Sequence, residues 1–193
     1  MADSKLDAPL ASTRSTGATT LVLLAAVALF VFAVDQGTKY LVVQNLSENT
    51  VVPVLGELLQ FHFVRNPGAA FSLLSGSTWI FAITASVVVV LIVIFARRIR
   101  SRGWAIVFGL LLGGTTGNLF DRLFREPGFG VGHVIDFVQL YLFPAIFNVA
   151  DLGITSAMAV FIILTVRGVG IDGTRSPRRG AAAPSAATTE QSE

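Results

Sequence analysis

STWIFAITASVVVVLIVIFA, residues 77–96, contains no charged residue and is followed at once by RRIRSR, residues 97–102. The run Val87-Val88-Val89-Val90 and the triplet Ile92-Val93-Ile94 are β-branched, which in a soluble chain would point to a strand. Length argues otherwise. Crossing about 30 Å of hydrocarbon takes about 20 helical residues, and this stretch is of that length. The reading is a transmembrane helix capped by arginines.

Working outward, three more stretches meet the same criterion. One has no charge between Arg14 and Asp35 and continues to about Val42, one runs from Trp104 to about Phe120, and one from about Phe147 to Val166. The chain of 193 residues is 53% hydrophobic and 13% charged, with a mean hydropathy of +0.71. That share of charge is about half what a soluble domain carries. Basic residues set the orientation. Lys5, Arg14, Arg97, Arg98, Arg100, Arg102, Arg167, Arg175, Arg178 and Arg179 fall on one side of the four spans, and Lys39, Arg65, Arg122 and Arg125 on the other. Both termini are therefore expected in the cytoplasm. Ala26-Val27-Ala28 looks like a signal-peptide cleavage box but lies inside the apolar run, so the first stretch is expected to remain as a helix.

The expected organisation is a membrane all-α domain over 17–168, between disordered tails at 1–16 and 169–193. An outer insert at 44–76 and an outer loop at 121–146 complete it. Within the insert, Thr50–Val54 and Leu58–Val64 alternate as two short strands of a small extracytoplasmic β-sheet, with Pro53 and Gly56 marking an edge or turn. Asn66-Pro67-Gly68 is a turn signal, and Ala69–Leu74 is expected to form a short interfacial helix. Pro127, Gly128, Gly130 and Gly132 make the second outer segment a loop.

The composition excludes much chemistry. There is no cysteine, so disulfides, thiolate metal sites and cysteine nucleophiles are out, and His62 and His133 are the whole histidine complement. His62 reads as the polar face of a strand and His133 as a solvated loop residue. A net charge of +2 does not call for nucleic acid. What stands out is Asp35, Asp121, Asp136 and Asp151, all expected in the outer half of the membrane. A carboxylate near the bilayer centre costs roughly 2.5–3.5 kcal/mol, so packing alone would not put them there.

Several residues accompany these acids. Gly109, Gly113 and Gly117 recur every four residues and predict close helix packing. Gly114, Asn118 and Arg122 form the adjacent stripe, read as facing a cavity. Asn148 and Asp151 share a face, which Thr155 continues inward. Asp35 and Lys39, four apart, read either as a local ion pair with Lys39 snorkelling outward or as a buttress for a site. The aspartates suit three chemistries: metal-free acid–base hydrolysis, Mg²⁺-dependent phosphoryl transfer on lipids, and ion translocation. Translocation fits worst, because the inner halves of the spans lack ionisable residues. A non-catalytic scaffold is the remaining alternative.

Four blocks then carry a resemblance: Asp35-Gln36-Gly37-Thr38-Lys39; Asn66-Pro67-Gly68-Ala69-Ala70-Phe71; Gly113 through Arg122 with Val134-Ile135-Asp136-Phe137; and Phe147-Asn148-Val149-Ala150-Asp151. In this order, on four spans, the chain resembles lipoprotein signal peptidase, the type II signal peptidase of bacteria. The resemblance implies an intramembrane aspartic endopeptidase that cuts the signal peptide from diacylglyceryl-modified prolipoproteins, just before the lipidated cysteine. It also implies a multi-pass protein of the bacterial cell membrane with its site on the extracytoplasmic face, needing no cofactor or metal. By motif, Asp136 and Asp151 match the catalytic pair. Asp35, Lys39, Asn66, Gly68, Asn118, Asp121, Arg122 and Asn148 match positions that bind substrate or support the site. The chain departs from the family pattern in an apparent insertion at Arg125–Gly132 and in Leu152, where serine is common. Four spans with internal small-residue packing are expected to suffice as a monomer.

Overall fold

The computed structural model describes residues 13–68 and 78–174. Its order is α1 (Thr13–Asn45), β1 (Val51–Leu55), β2 (Leu59–Asn66), α2 (Thr78–Phe95), a 3-10 turn at Ala96–Arg98, α3 (Arg102–Phe124), β3 (Val134–Leu140), β4 (Phe143–Phe147) and α4 (Val149–Val166). All four helices are long and apolar enough to cross a membrane. The β-branched run lies within α2, as its length required. The expected interfacial helix at Ala69–Leu74 lies outside the described residues.

At 33 residues, α1 is about 50 Å long and exceeds the hydrocarbon thickness by several turns. Its outer turns support the sheet, where Val42 packs with Phe63, Ile135 and Phe137. The central helix is α3, which buries the largest share of its length of the four. Small residues make that possible. A Cβ at Gly113 would stand 2.5 Å from the Ala28 carbonyl oxygen of α1, and one at Gly114 2.5 Å from that of Ala150 in α4. Gly114 therefore closes the α3–α4 contact and does not line a cavity.

The sheet is an antiparallel meander in the order β1-β2-β3-β4. The two strands expected in the insert form within a residue or two of their expected bounds, and Pro53 sits on the exposed edge strand β1. The segment 121–146 differs from expectation. Only 125–133 is a loop. α3 continues through Asp121 and Arg122 to Phe124, and β3 and β4 add two strands. Val134, Ile135, Asp136 and Phe137 are all buried, so β3 is covered on both faces and shows no polar–apolar alternation. Its pairing partner β2, with Val64 opposite Asp136, lies some seventy residues earlier.

The tails also differ. α1 begins at Thr13, before the expected boundary at 17. Val169–Thr174 is bound to the rest: the Trp104 indole donates to the Val169 carbonyl at 2.9 Å, and the Arg100 and Ser101 amides both donate to that of Ile171 at 3.0 Å.

Candidate active site

The end of α4 nearest the sheet begins with a reciprocal cap. Asn148 precedes the helix, and its side-chain oxygen accepts from the Asp151 amide at 3.1 Å. The Asp151 carboxylate returns to the Asn148 amide at 3.1 Å. This capping box satisfies two donors that the helix start would otherwise leave open. It also fixes the direction of the Asp151 side chain. The remaining Asp151 oxygen accepts from Asn118 of α3 at 2.9 Å.

Asp136 arrives from β3 and is 2% exposed. Its two oxygens accept from the amide nitrogens of Asn148, at 2.6 Å, and Asn66, at 2.7 Å. Asn148 thus touches both acids, holding Asp136 with its side chain and Asp151 with its backbone. Burial pushes the Asp136 carboxyl up to about 6. The Asp151 charge adds to that, while the hydrogen bonds from Asn66 and Asn148 and the charge of Lys39 pull the other way.

Behind the pair lies a second charged cluster with no access to water. Lys39 is fully buried and donates to Asp35 at 2.8 Å, Asp121 at 2.7 Å and the Asn118 side-chain oxygen at 3.0 Å. Three protons meet three acceptors. Lys39 does not snorkel outward; the local pair with Asp35 is one edge of a larger cluster. Since an ammonium can only donate, Lys39 fixes the Asn118 amide with its oxygen inward, which turns the nitrogen toward Asp151. Among the described residues, Asn118 is the side chain that links the two clusters.

Asp35 also accepts from the Ala150 amide at 2.9 Å, and its carboxylate fills the space that a side chain at Gly117 would need. Asp121 accepts from the Ile135 amide at 3.2 Å, tying α3 to the strand that carries Asp136. Two participants lie outside the set that the sequence motifs single out. Gln36 donates to Asp35, Asp121 and the Gly117 carbonyl, and Arg125 meets Asp121 at 2.6 Å. Arg125 stands four residues after Asp121, an interval that favours pairing on one helix face, so it belongs to the end of α3 and to this cluster as well as to the apparent insertion. Nothing local marks Gln36, whose contacts to Gly117 and Asp121 reach across to another helix.

The Asn66-Pro67-Gly68 turn covers the opposite side. The Gly68 amide donates to the Asn66 side-chain oxygen at 2.8 Å, which orients the Asn66 amide nitrogen toward Asp136. Gly68 has φ +89°, and a Cβ there would collide with the Phe81 ring and crowd Arg122. Arg122 is buried with its guanidinium 5.0 Å over that ring. Its Nη1 has no hydrogen-bond partner among the described residues. Asn66, Gly68 and Asp136 line a cavity of about 400 Å³ with Pro144 and Ile146. His62 meets Gln139 at 3.0 Å on the sheet, as its place in the strand pattern suggested, and His133 is half-buried beside the inserted loop.

Fold and site together define a multi-pass membrane protein with paired carboxylates at one end of its bundle, beside a cavity. Residues 27–167 match the family model described as signal peptidase (SPase) II. A lipoprotein signal peptidase of Leifsonia xyli subsp. xyli is 61% identical over 166 residues, covering 86% of this chain and 77% of the relative. One from Rhodococcus jostii is 45% identical over 154 residues, covering 80% and 77%. Two solved structures described as bacterial membrane enzymes align with TM-scores of 0.63 and 0.64 at 28% and 27% identity. They cover 77% and 78% of this chain, and 88% and 94% of their own. The chain belongs to the signal peptidase II family and is a membrane-embedded aspartic endopeptidase.

Proposed function

We propose that this enzyme removes signal peptides from diacylglyceryl-modified prolipoproteins, cutting before the lipidated cysteine with Asp136 and Asp151 as the catalytic pair. The observation that carries this reading is the Asn148 bridge, in which the side-chain amide holds the β3 carboxylate and the backbone N–H holds the α4 carboxylate, beside a cavity. The substrate's signal helix lies against the spans with its acyl chains in lipid, and the scissile peptide enters beneath the sheet and the Asn66 turn. One carboxylate takes a proton from water as the water attacks the carbonyl carbon. The other, protonated, hydrogen-bonds the carbonyl oxygen and later supplies a proton to the departing amine. The two exchange roles through the cycle. Asn118, Asn148 and Arg122 orient the acids and the peptide, while Asp35, Lys39 and Asp121 hold Asn118 from behind. Water-poor surroundings strengthen these contacts. The site faces the outside of the cell, and both ends of the chain face the cytoplasm.

The test is incubation of purified enzyme with a diacylated precursor. Asp136→Asn and Asp151→Asn are each expected to reduce cleavage by at least about 10²–10⁴-fold while the protein remains inserted and folded. Turnover near the wild-type rate in either variant overturns the assignment. Cleavage is expected to survive a chelator; loss restored by Mg²⁺ would instead favour metal-assisted chemistry on lipid phosphates.

A further inference from the structure

A second cavity, of about 350 Å³, lies at the arginine-rich end of the bundle, away from the aspartates. Its walls come from Leu91, Ile92 and Phe95 of α2, Ile99, Phe108 of α3 and Ile171 of the closing segment. Ile92 and Ile99 form a buried floor, while Leu91, Phe95 and Ile171 remain exposed around it. The slot therefore opens sideways at the last turn of α2, where a spanning helix leaves the hydrocarbon. It is a formed feature: the Ile171 wall stands there because the Arg100 and Ser101 amides hold its carbonyl.

Charge selects the occupant. Arg98 is the one charged residue of the lining; it contributes only apolar atoms to the wall, and its guanidinium stands 5.1 Å over the Phe95 ring. Arg97, Arg98, Arg100 and Arg102 make no ion pair among the described residues. Asp172, the one described acid at this end, turns its Oδ1 onto the amide and hydroxyl of Thr174, at 3.0 and 2.8 Å. We propose that the slot binds one anionic phospholipid, an acyl chain along Leu91, Phe95 and Phe108 and the phosphate on Arg98. A zwitterionic lipid offers the same chain but brings an ammonium to an already positive rim, so headgroup charge decides retention. Orientation by the arginines accounts for their side of the membrane; it does not account for an apolar slot ending at one of them.

The test is native mass spectrometry of the full-length protein in non-ionic detergent, titrated with phosphatidylglycerol or phosphatidylcholine of identical chains. Phosphatidylglycerol is expected to be retained about fivefold better. Arg98→Gln removes that preference, Arg97→Gln, outside the lining, keeps most of it, and Leu91→Trp, which fills the slot from an exposed position, weakens retention of both lipids. Equal retention of the two lipids by the wild type overturns the proposal. So does equal loss in the Arg97 and Arg98 variants, which would mean a diffuse charge collar. Should Arg98→Gln not fold, Arg98→Lys with Leu91→Trp decides: loss of retention in the tryptophan variant supports the slot, and wild-type retention there overturns it.

Discussion

Asp136 accepts hydrogen bonds from two asparagine amides and lies within reach of the Asp151 charge, in a place water barely enters. Desolvation therefore holds its pKa near 6, against 3.8 for an unperturbed aspartate. The folded state keeps a proton that the unfolded chain releases. This contribution to stability is complete below about pH 4 and is lost as the pH rises through about 6, by up to about 3 kcal/mol. The proposed mechanism also needs one proton on the pair. We expect kcat/KM to fall as the pH climbs above about 6, and the infrared band of a protonated carboxyl to vanish over the same range. In Asp136→Asn the band should be missing at about pH 5–6, where ordinary carboxyl side chains are already ionised. A band that persists to pH 9, or a flat rate profile from pH 5 to 9, would contradict the assignment. The acids themselves were legible in the sequence because a carboxylate in an apolar run is costly. The burial of Lys39 was not, since its second and third acceptors come from α3.

Two contacts at the level of elements hold the site together: the start of α4 and the glycine face of α3. Asn148→Ala removes the cap on the Asp151 amide and the side-chain amide that holds Asp136, while the backbone donor to the Asp151 carboxylate remains. We expect a loss of about 1 kcal/mol in stability, read as a lower thermal midpoint in detergent, and a disproportionate loss of activity. Gly114→Val places a side chain against the Ala150 carbonyl, forcing α3 and α4 apart and displacing the Ala150 amide from Asp35. Midpoint and activity should both drop. Gly128→Ala, with open space around it, should change neither. The helices and their close-packed glycines were legible from length and spacing. The strands of 134–147 were not, because β3 is buried on both faces and pairs with β2 across a long stretch of chain.

The whole molecule has one polar centre at the sheet end and a rim of arginines at the other. Because the chain has no cysteine, single cysteines report its orientation cleanly. In intact cells, Ser47→Cys, in the exposed approach to β1, should react with a membrane-impermeant maleimide, and Ser101→Cys, between α2 and α3, should react only after lysis. The reverse pattern would invert the topology and remove the proposed route for an exported substrate. Taken alone, the sequence determined the number of spans, the side that carries the positive charge and the identity of the acids. Each of these follows from local composition set against the price of placing charge in hydrocarbon. Only the tertiary structure decided that Lys39 joins two acids on different helices, that Asn118 links the charged cluster to the aspartate pair, and that Asn148 meets both carboxylates. Those are agreements between distant segments, and no local pattern of residues carries them.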